Sequence, residues 1–101
     1  MSSVVRREGV KETRVETTLR VEIKSLGGWA IKFLPSVSGL PDRIVLLPGG
    51  RIYFVELKSP TGTVKPHQTV VHNRLRSLGF EVLVLNTPDS VREWTSTIDR
   101  R

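Results

Sequence analysis

The feature that most constrains this chain is a short hydrophobic hairpin with a carboxylate at each end. Ile44 to Leu47 and Ile52 to Val55 are rich in β-branched and aromatic residues, which marks both runs as strands. Pro48-Gly49-Gly50 lies between them and reads as a turn. If those three residues form the loop, with Gly50 supplying positive φ at a bulge, Leu47 pairs with Arg51. Counting back along both strands then sets Asp42 opposite Glu56, on the same face. The Cβ atoms of such a pair stand about 5 Å apart. Side chains alternate along a strand, so Glu56 and Lys58 share a face and Leu57 turns to the other. Two carboxylates this close, at the end of an apolar hairpin, are costly unless a cation sits between them. Asp42 and Glu56 are therefore expected to form a metal site, with Lys58 beside it.

The rest of the chain supplies elements to pack around that hairpin. Residues 1–11 show no periodicity and read as a flexible arm, with Arg6 and Arg7 available to phosphate. Residues 12–101 read as a single domain, a size that suits one modest core. Val15, Leu19, Ile23 and Leu26 recur at helical spacing and predict a helix from Thr13 to Leu26, stopped by Gly27-Gly28. Glu16 lies on that apolar stripe, where a carboxylate needs a partner; it also fits a capping box with Thr13. Trp29 to Leu34 predicts a strand ended by Pro35, on which Lys32 either reaches a phosphate or snorkels at a sheet edge. Arg43 alternates away from Asp42 and is not expected in the catalytic set.

Beyond Lys58, residues 59–65 form a polar loop expected to order over substrate, with Ser59 and Lys65 as phosphate contacts or ordinary surface residues. Pro66 to Leu78 predicts a helix with Val71, Leu75 and Leu78 buried and Gln68 pointing inward near the site. His67 and His72 lack metal-ligand spacing and are expected to be structural or exposed. Phe80 to Leu85 predicts a buried strand, making a βαβ unit. A last helix beginning at Thr87-Pro88-Asp89 carries Val91, Trp94 and Ile98 on one face, to pack on the sheet or on a second subunit. The expected fold class is α/β, a mixed α+β sheet in the order α-β-β-β-α-β-α.

Pro41-Asp42 and Glu56-Leu57-Lys58 together resemble the PD-(D/E)xK nuclease signature. Gly27-Gly28 before Trp29 to Phe33, then Gly39-Leu40-Pro41-Asp42-Arg43, Gln68 and Leu78-Gly79 resemble the VRR-NUC family within that superfamily. The resemblance covers roughly residues 12 to 88, and Lys65 departs from it where the family has a serine-type cap. It implies a restriction-endonuclease-like core and a metal-dependent endonuclease. It further implies a backbone carbonyl ligand at Leu57, a contribution from Glu16 through metal or bound water, and a catalytic role for Gln68. Stand-alone members of the family are small homodimers, found in phages and bacteria and associated with four-way (Holliday) junctions. Mg²⁺ is the expected cofactor, with Mn²⁺ able to substitute, since hard cations prefer oxygen ligands. Lys58 would orient or deprotonate the attacking water, or serve as a countercharge.

A formal charge of +6 favours a polyanionic partner, nucleic acid being the commonest, and the resemblance implies that it is DNA, preferably branched. Aromatic residues make up only 6% of the chain, which argues against single-strand base stacking and for reading DNA shape. The absence of cysteine excludes disulfides and thiolate metal sites. No apolar run approaches a membrane span, so the expectation is an intracellular, cytoplasmic protein with neither a membrane partner nor a small-molecule cofactor. Two other readings stand beside the nuclease. One is a non-catalytic or differently specific DNA-binding module on the same fold; the other is an interaction protein carried by the Val91, Trp94, Ile98 stripe.

Overall fold

The hairpin forms in the register that its turn dictates. Gly49 and Gly50 take φ of 86° and 74°, a left-handed conformation that side chains other than glycine rarely adopt. The computed structural model describes residues 7–34 and 36–99, with side chains from residue 13 onward. Its elements are α1 (Arg7–Ser25), β1 (Trp29–Lys32), β2 (Arg43–Leu47), β3 (Arg51–Leu57), α2 (Pro66–Ser77), β4 (Glu81–Leu85) and α3 (Pro88–Thr95). This is the expected order, on a mixed sheet of strand order β1-β2-β3-β4. β1, β2 and β3 run antiparallel, with Leu47 opposite Arg51 and Arg43 opposite Val55. β4 joins β3 in parallel, an arrangement that needs the crossover supplied by α2.

One face of the sheet carries the core. Val45, Leu47, Val55, Leu57 and Leu85 pack there against Val15, Leu19 and Ile23 of α1 and against Val91 and Ile98 from the α3 region. Trp94 meets Tyr53 edge to face, with ring centroids 5.4 Å apart. The Val91, Trp94, Ile98 stripe is thus used inside the subunit, which removes the surface on which an interaction-protein reading rested. Thr87 caps α3 by accepting a hydrogen bond from the Ser90 N–H.

Several boundaries differ from expectation. α1 begins at Arg7, so the end of the expected arm is helical and Thr13 stands inside the helix instead of capping it. Residues 1–6, including Arg6, lie outside the described residues. β1 ends at Lys32, short of the predicted Leu34. The stripe predicted for α2 is only partly realised: His72 is buried, Val71 and Leu75 are half-buried, and Leu78 is exposed. The cause is that α2 covers only part of the second sheet face, by β4 and the loop before β2, so its far end overhangs solvent. β4 is likewise less buried than expected, with Val82 and Leu85 inside and Val84 exposed at the sheet edge. Among the described residues, no helix is long and apolar enough to cross a membrane.

The loop before β2 docks on α2 through Gly39. Its φ is +95°, and an added Cβ would lie 2.8 Å from Val71 Cγ2 and 2.9 Å from the His67 carbonyl oxygen. Gly39→Ala combines a left-handed backbone with overpacking and is expected to cost about 2–4 kcal/mol. Urea denaturation measures this; a loss below about 1 kcal/mol would contradict the close packing of loop and helix.

Candidate active site

Carrying the β2–β3 register one step past Arg43–Val55 sets Asp42 opposite Glu56. Both side chains border one open cavity of about 520 Å³, together with Leu57, Lys58, and Ser59, Thr61, Gly62, Thr63 and Lys65 of the following loop. The next step sets Leu57 opposite Pro41, which is fully buried. Proline has no N–H, so the Leu57 carbonyl receives no hydrogen bond from that position. Leu57 itself borders the cavity beside the two carboxylates.

The carboxylates share a pattern: one oxygen is held and the other is left over. Asp42 Oδ2 lies 2.8 Å from a terminal nitrogen of Arg43, an ion pair whose angle is too oblique for a hydrogen bond. Glu56 Oε2 is approached by Lys58 Nζ at 3.4 Å and receives a hydrogen bond from Gln68 Nε2 at 3.3 Å. Asp42 Oδ1 and Glu56 Oε1 are buried without any partner. Orphaned buried acceptors are unusual and costly. Burial, and then repulsion from Asp42, hold the Glu56 carboxyl above its ordinary value of 4.5, outweighing Lys58 and Gln68, which pull it down.

Gln68 locks this arrangement from α2. Its amide oxygen accepts from Lys58 Nζ at 3.1 Å and from the Lys65 N–H at 2.9 Å. Lys65 occupies the N-cap with a side chain that cannot accept a hydrogen bond. The Gln68 amide takes over that end of the helix and, through the same atoms, fixes Lys58 and Glu56. One turn further on, His72 is 1% exposed and its Nε2 is unpartnered. Burial, reinforced by Arg76 and Lys58, lowers its pKa and keeps it neutral.

Arg43 is the residue that strand alternation conceals. It is 4% exposed and donates to Glu16 Oε2 at 2.9 Å while touching Asp42 with its other terminal nitrogen. The partner that Glu16 needs is therefore a guanidinium. Both clues were present in the sequence: an inward-facing arginine and an inward-facing glutamate each require an opposite charge. Lys32 is exposed on β1 and does not line the cavity, whereas Ser59 and Lys65 do.

Two buried carboxylate oxygens without partners fit a hard divalent cation, which retains waters for its remaining positions. Among the described residues, no three His, Cys, Asp or Glu side chains gather closely enough to hold an ion by themselves. A smaller cavity of about 240 Å³ near α1 and α3 offers only one carboxylate, Glu22.

Known proteins resemble the chain in sequence and in fold. No protein-family model matches the chain. A relative named "Putative nuclease p44", from Acyrthosiphon pisum secondary endosymbiont phage 1, is 43% identical over 81 residues. That alignment spans 79% of this chain and 87% of the relative. A solved structure described as a VRR_NUC domain superposes with a TM-score of 0.80 at 34% identity, covering 88% of this chain and 98% of that one.

Without a cation, a raised Glu56 pKa means that the folded chain holds the Glu56 proton more tightly than the unfolded chain does. That proton's stabilising contribution is complete below the ordinary value of 4.5 and is lost as pH rises through the higher folded value. In EDTA, Glu56→Gln is therefore expected to gain on the wild type in melting temperature as pH climbs from there to neutrality. A difference independent of pH, or one of opposite sign, would contradict the raised pKa.

Proposed function

The chain belongs to the VRR-NUC family of nucleases, and from that membership we propose that it is a divalent-metal-dependent endonuclease acting on DNA. The observation that carries the proposal is the pair of unpartnered buried oxygens on Asp42 and Glu56, each carboxylate being anchored by its other oxygen. A pure DNA-binding module has no use for two negative charges in a cavity rimmed by lysines.

Asp42, Glu56 and the Leu57 carbonyl would hold Mg²⁺, with Mn²⁺ able to replace it. When bound, such an ion supplies polarisation of a phosphoryl oxygen and a hydroxide-like nucleophile. The residues around it divide the remaining work. Lys58 stands against Glu56, placed to orient the attacking water or take its proton as the new oxygen–phosphorus bond forms and the ester bond breaks. Gln68 holds Lys58 and Glu56 in register with each other. Ser59 and Lys65, on the cavity rim, would bind phosphates of the strand, and Lys32 would extend that contact along the sheet edge. Glu16 acts through Arg43 in this arrangement.

We further place the activity on branched DNA, with four-way junctions the preferred substrate, inside the cell where that DNA is. A homodimer would supply two symmetric sites for two strands. Trp29, Leu46 and Ile52 support it: they pair in one row across β1, β2 and β3, and Trp29 and Ile52 are exposed. Apolar surface of this kind is what a self-complementary interface buries.

Purified protein incubated with labelled four-way junction, flap and linear duplex in Mg²⁺ or Mn²⁺ is expected to cut, and the junction most rapidly. Glu56→Ala should abolish cutting, and Lys58→Ala should slow it by about 100-fold or more. Undiminished cutting by either variant would remove the mechanism. Light scattering after size exclusion is expected to give the mass of a dimer, and Trp29→Glu that of a monomer. A monomeric wild type would overturn the paired-site arrangement while leaving the chemistry intact.

A further inference from the structure

Arg43 has a charge environment that the nuclease mechanism does not account for. The three carboxylates at this end of the sheet fall into two groups. Glu56 is attended by Lys58 and Gln68 on the cavity side. Glu16 and Asp42 are joined by the Arg43 guanidinium, at 2.9 Å and 2.8 Å. The guanidinium side chain is 5% exposed and each of its carboxylate partners 30%. Removing one member of a pair buried to this degree leaves its partners uncompensated.

Building on the nuclease reading, we propose that Arg43 is a fixed counter-cation standing where a second divalent ion would otherwise be held, between Asp42 and Glu16. The site then takes a single ion, on the Asp42–Glu56 side. Arg43 also positions Asp42: by holding Oδ2 it leaves Oδ1 as the oxygen directed at that ion.

The charges support this assignment. When all three carboxylates are ionised, Arg43 and Lys58 leave them one positive charge short, and a single divalent ion more than covers the difference. A second ion would have to enter against a guanidinium that cannot give up its proton. Without Arg43, Glu16 and Asp42 become two facing carboxylates with no cation between them. A hard cation with oxygen-ligand preference is then the natural replacement. Geometry points the same way, since Glu16 does not gather with Asp42 and Glu56 into a three-carboxylate cluster among the described residues.

The test is Mn²⁺ binding by the intact, nucleic-acid-free protein, measured by electron paramagnetic resonance of free Mn²⁺ and by calorimetry. Wild type is expected to bind one ion per chain and Arg43→Gln two. The Glu16→Gln/Arg43→Gln double variant should return to one, because the second pair of carboxylates is then broken. In EDTA, Arg43→Gln should melt below the wild type, and Mn²⁺ should raise its melting temperature by more than it raises that of the wild type. A structural arginine would lower the melting temperature without raising the number of ions bound.

If Arg43→Gln does not fold, wild type and Glu16→Gln carry the test. Glu16→Gln should keep one ion and lose less than about tenfold in Mn²⁺ affinity, the lower end of what removing a ligand's supporting contact costs. Two ions in the wild type, an unchanged count in folded Arg43→Gln, or a larger loss in Glu16→Gln would each overturn the role of Arg43. None of these results would touch the nuclease reading. A wild type that binds no Mn²⁺ at millimolar concentration would instead overturn the metal-dependent chemistry itself.

Discussion

Two carboxylates facing each other across the ends of adjacent strands set the terms for everything around them. Asp42 and Glu56 cannot both be ionised, close together and shielded from water without a positive charge between them. The protein meets half of that demand with its own groups. Arg43 holds one oxygen of Asp42, and Lys58 with Gln68 holds one oxygen of Glu56. The opposite oxygens are left buried without a partner. That incompleteness is specific, since the same side chains could have been fully satisfied by a second donor on each.

The fold serves to bring these groups together and keep them there. A glycine turn fixes the hairpin register, and the register decides which residues face each other at the far end. The β2–β3 ladder ends at Arg43–Val55, immediately before the two carboxylates. The parallel return to β4 places α2 across the second face of the sheet, which is how Gln68, distant from Glu56 in sequence, comes to touch it. Gly39 lets the loop before β2 lie against that helix without a side chain in the way. The apolar core on the other face, from α1 and α3, anchors the strands whose ends carry the chemistry.

Much of this was legible in the sequence because it rests on short-range rules. The Leu47–Arg51 pairing follows from turn length and β-branched runs, and Asp42 opposite Glu56 follows from the pairing. Gln68 pointing at the site follows from helical period. What escaped was tertiary. The α2 stripe mispredicts Leu78 because periodicity assumes a helix flanked along its whole length, and this one overhangs the sheet. Thr13 resembles a cap and so marks too late a start for α1, because the polar residues before it continue the helix. Arg43 is hidden from the sequence because its Cβ points away from Asp42. A guanidinium on a long stem returns to its neighbour while reaching Glu16, and alternation of Cβ directions carries no information about that.

That the two free oxygens form one binding site is tested most directly by diffraction from crystals grown with Mn²⁺. The predicted result is an anomalous peak within coordination distance of both Asp42 Oδ1 and Glu56 Oε1, next to the Leu57 carbonyl. A peak bound to only one of the two carboxylates, or to neither, would contradict it.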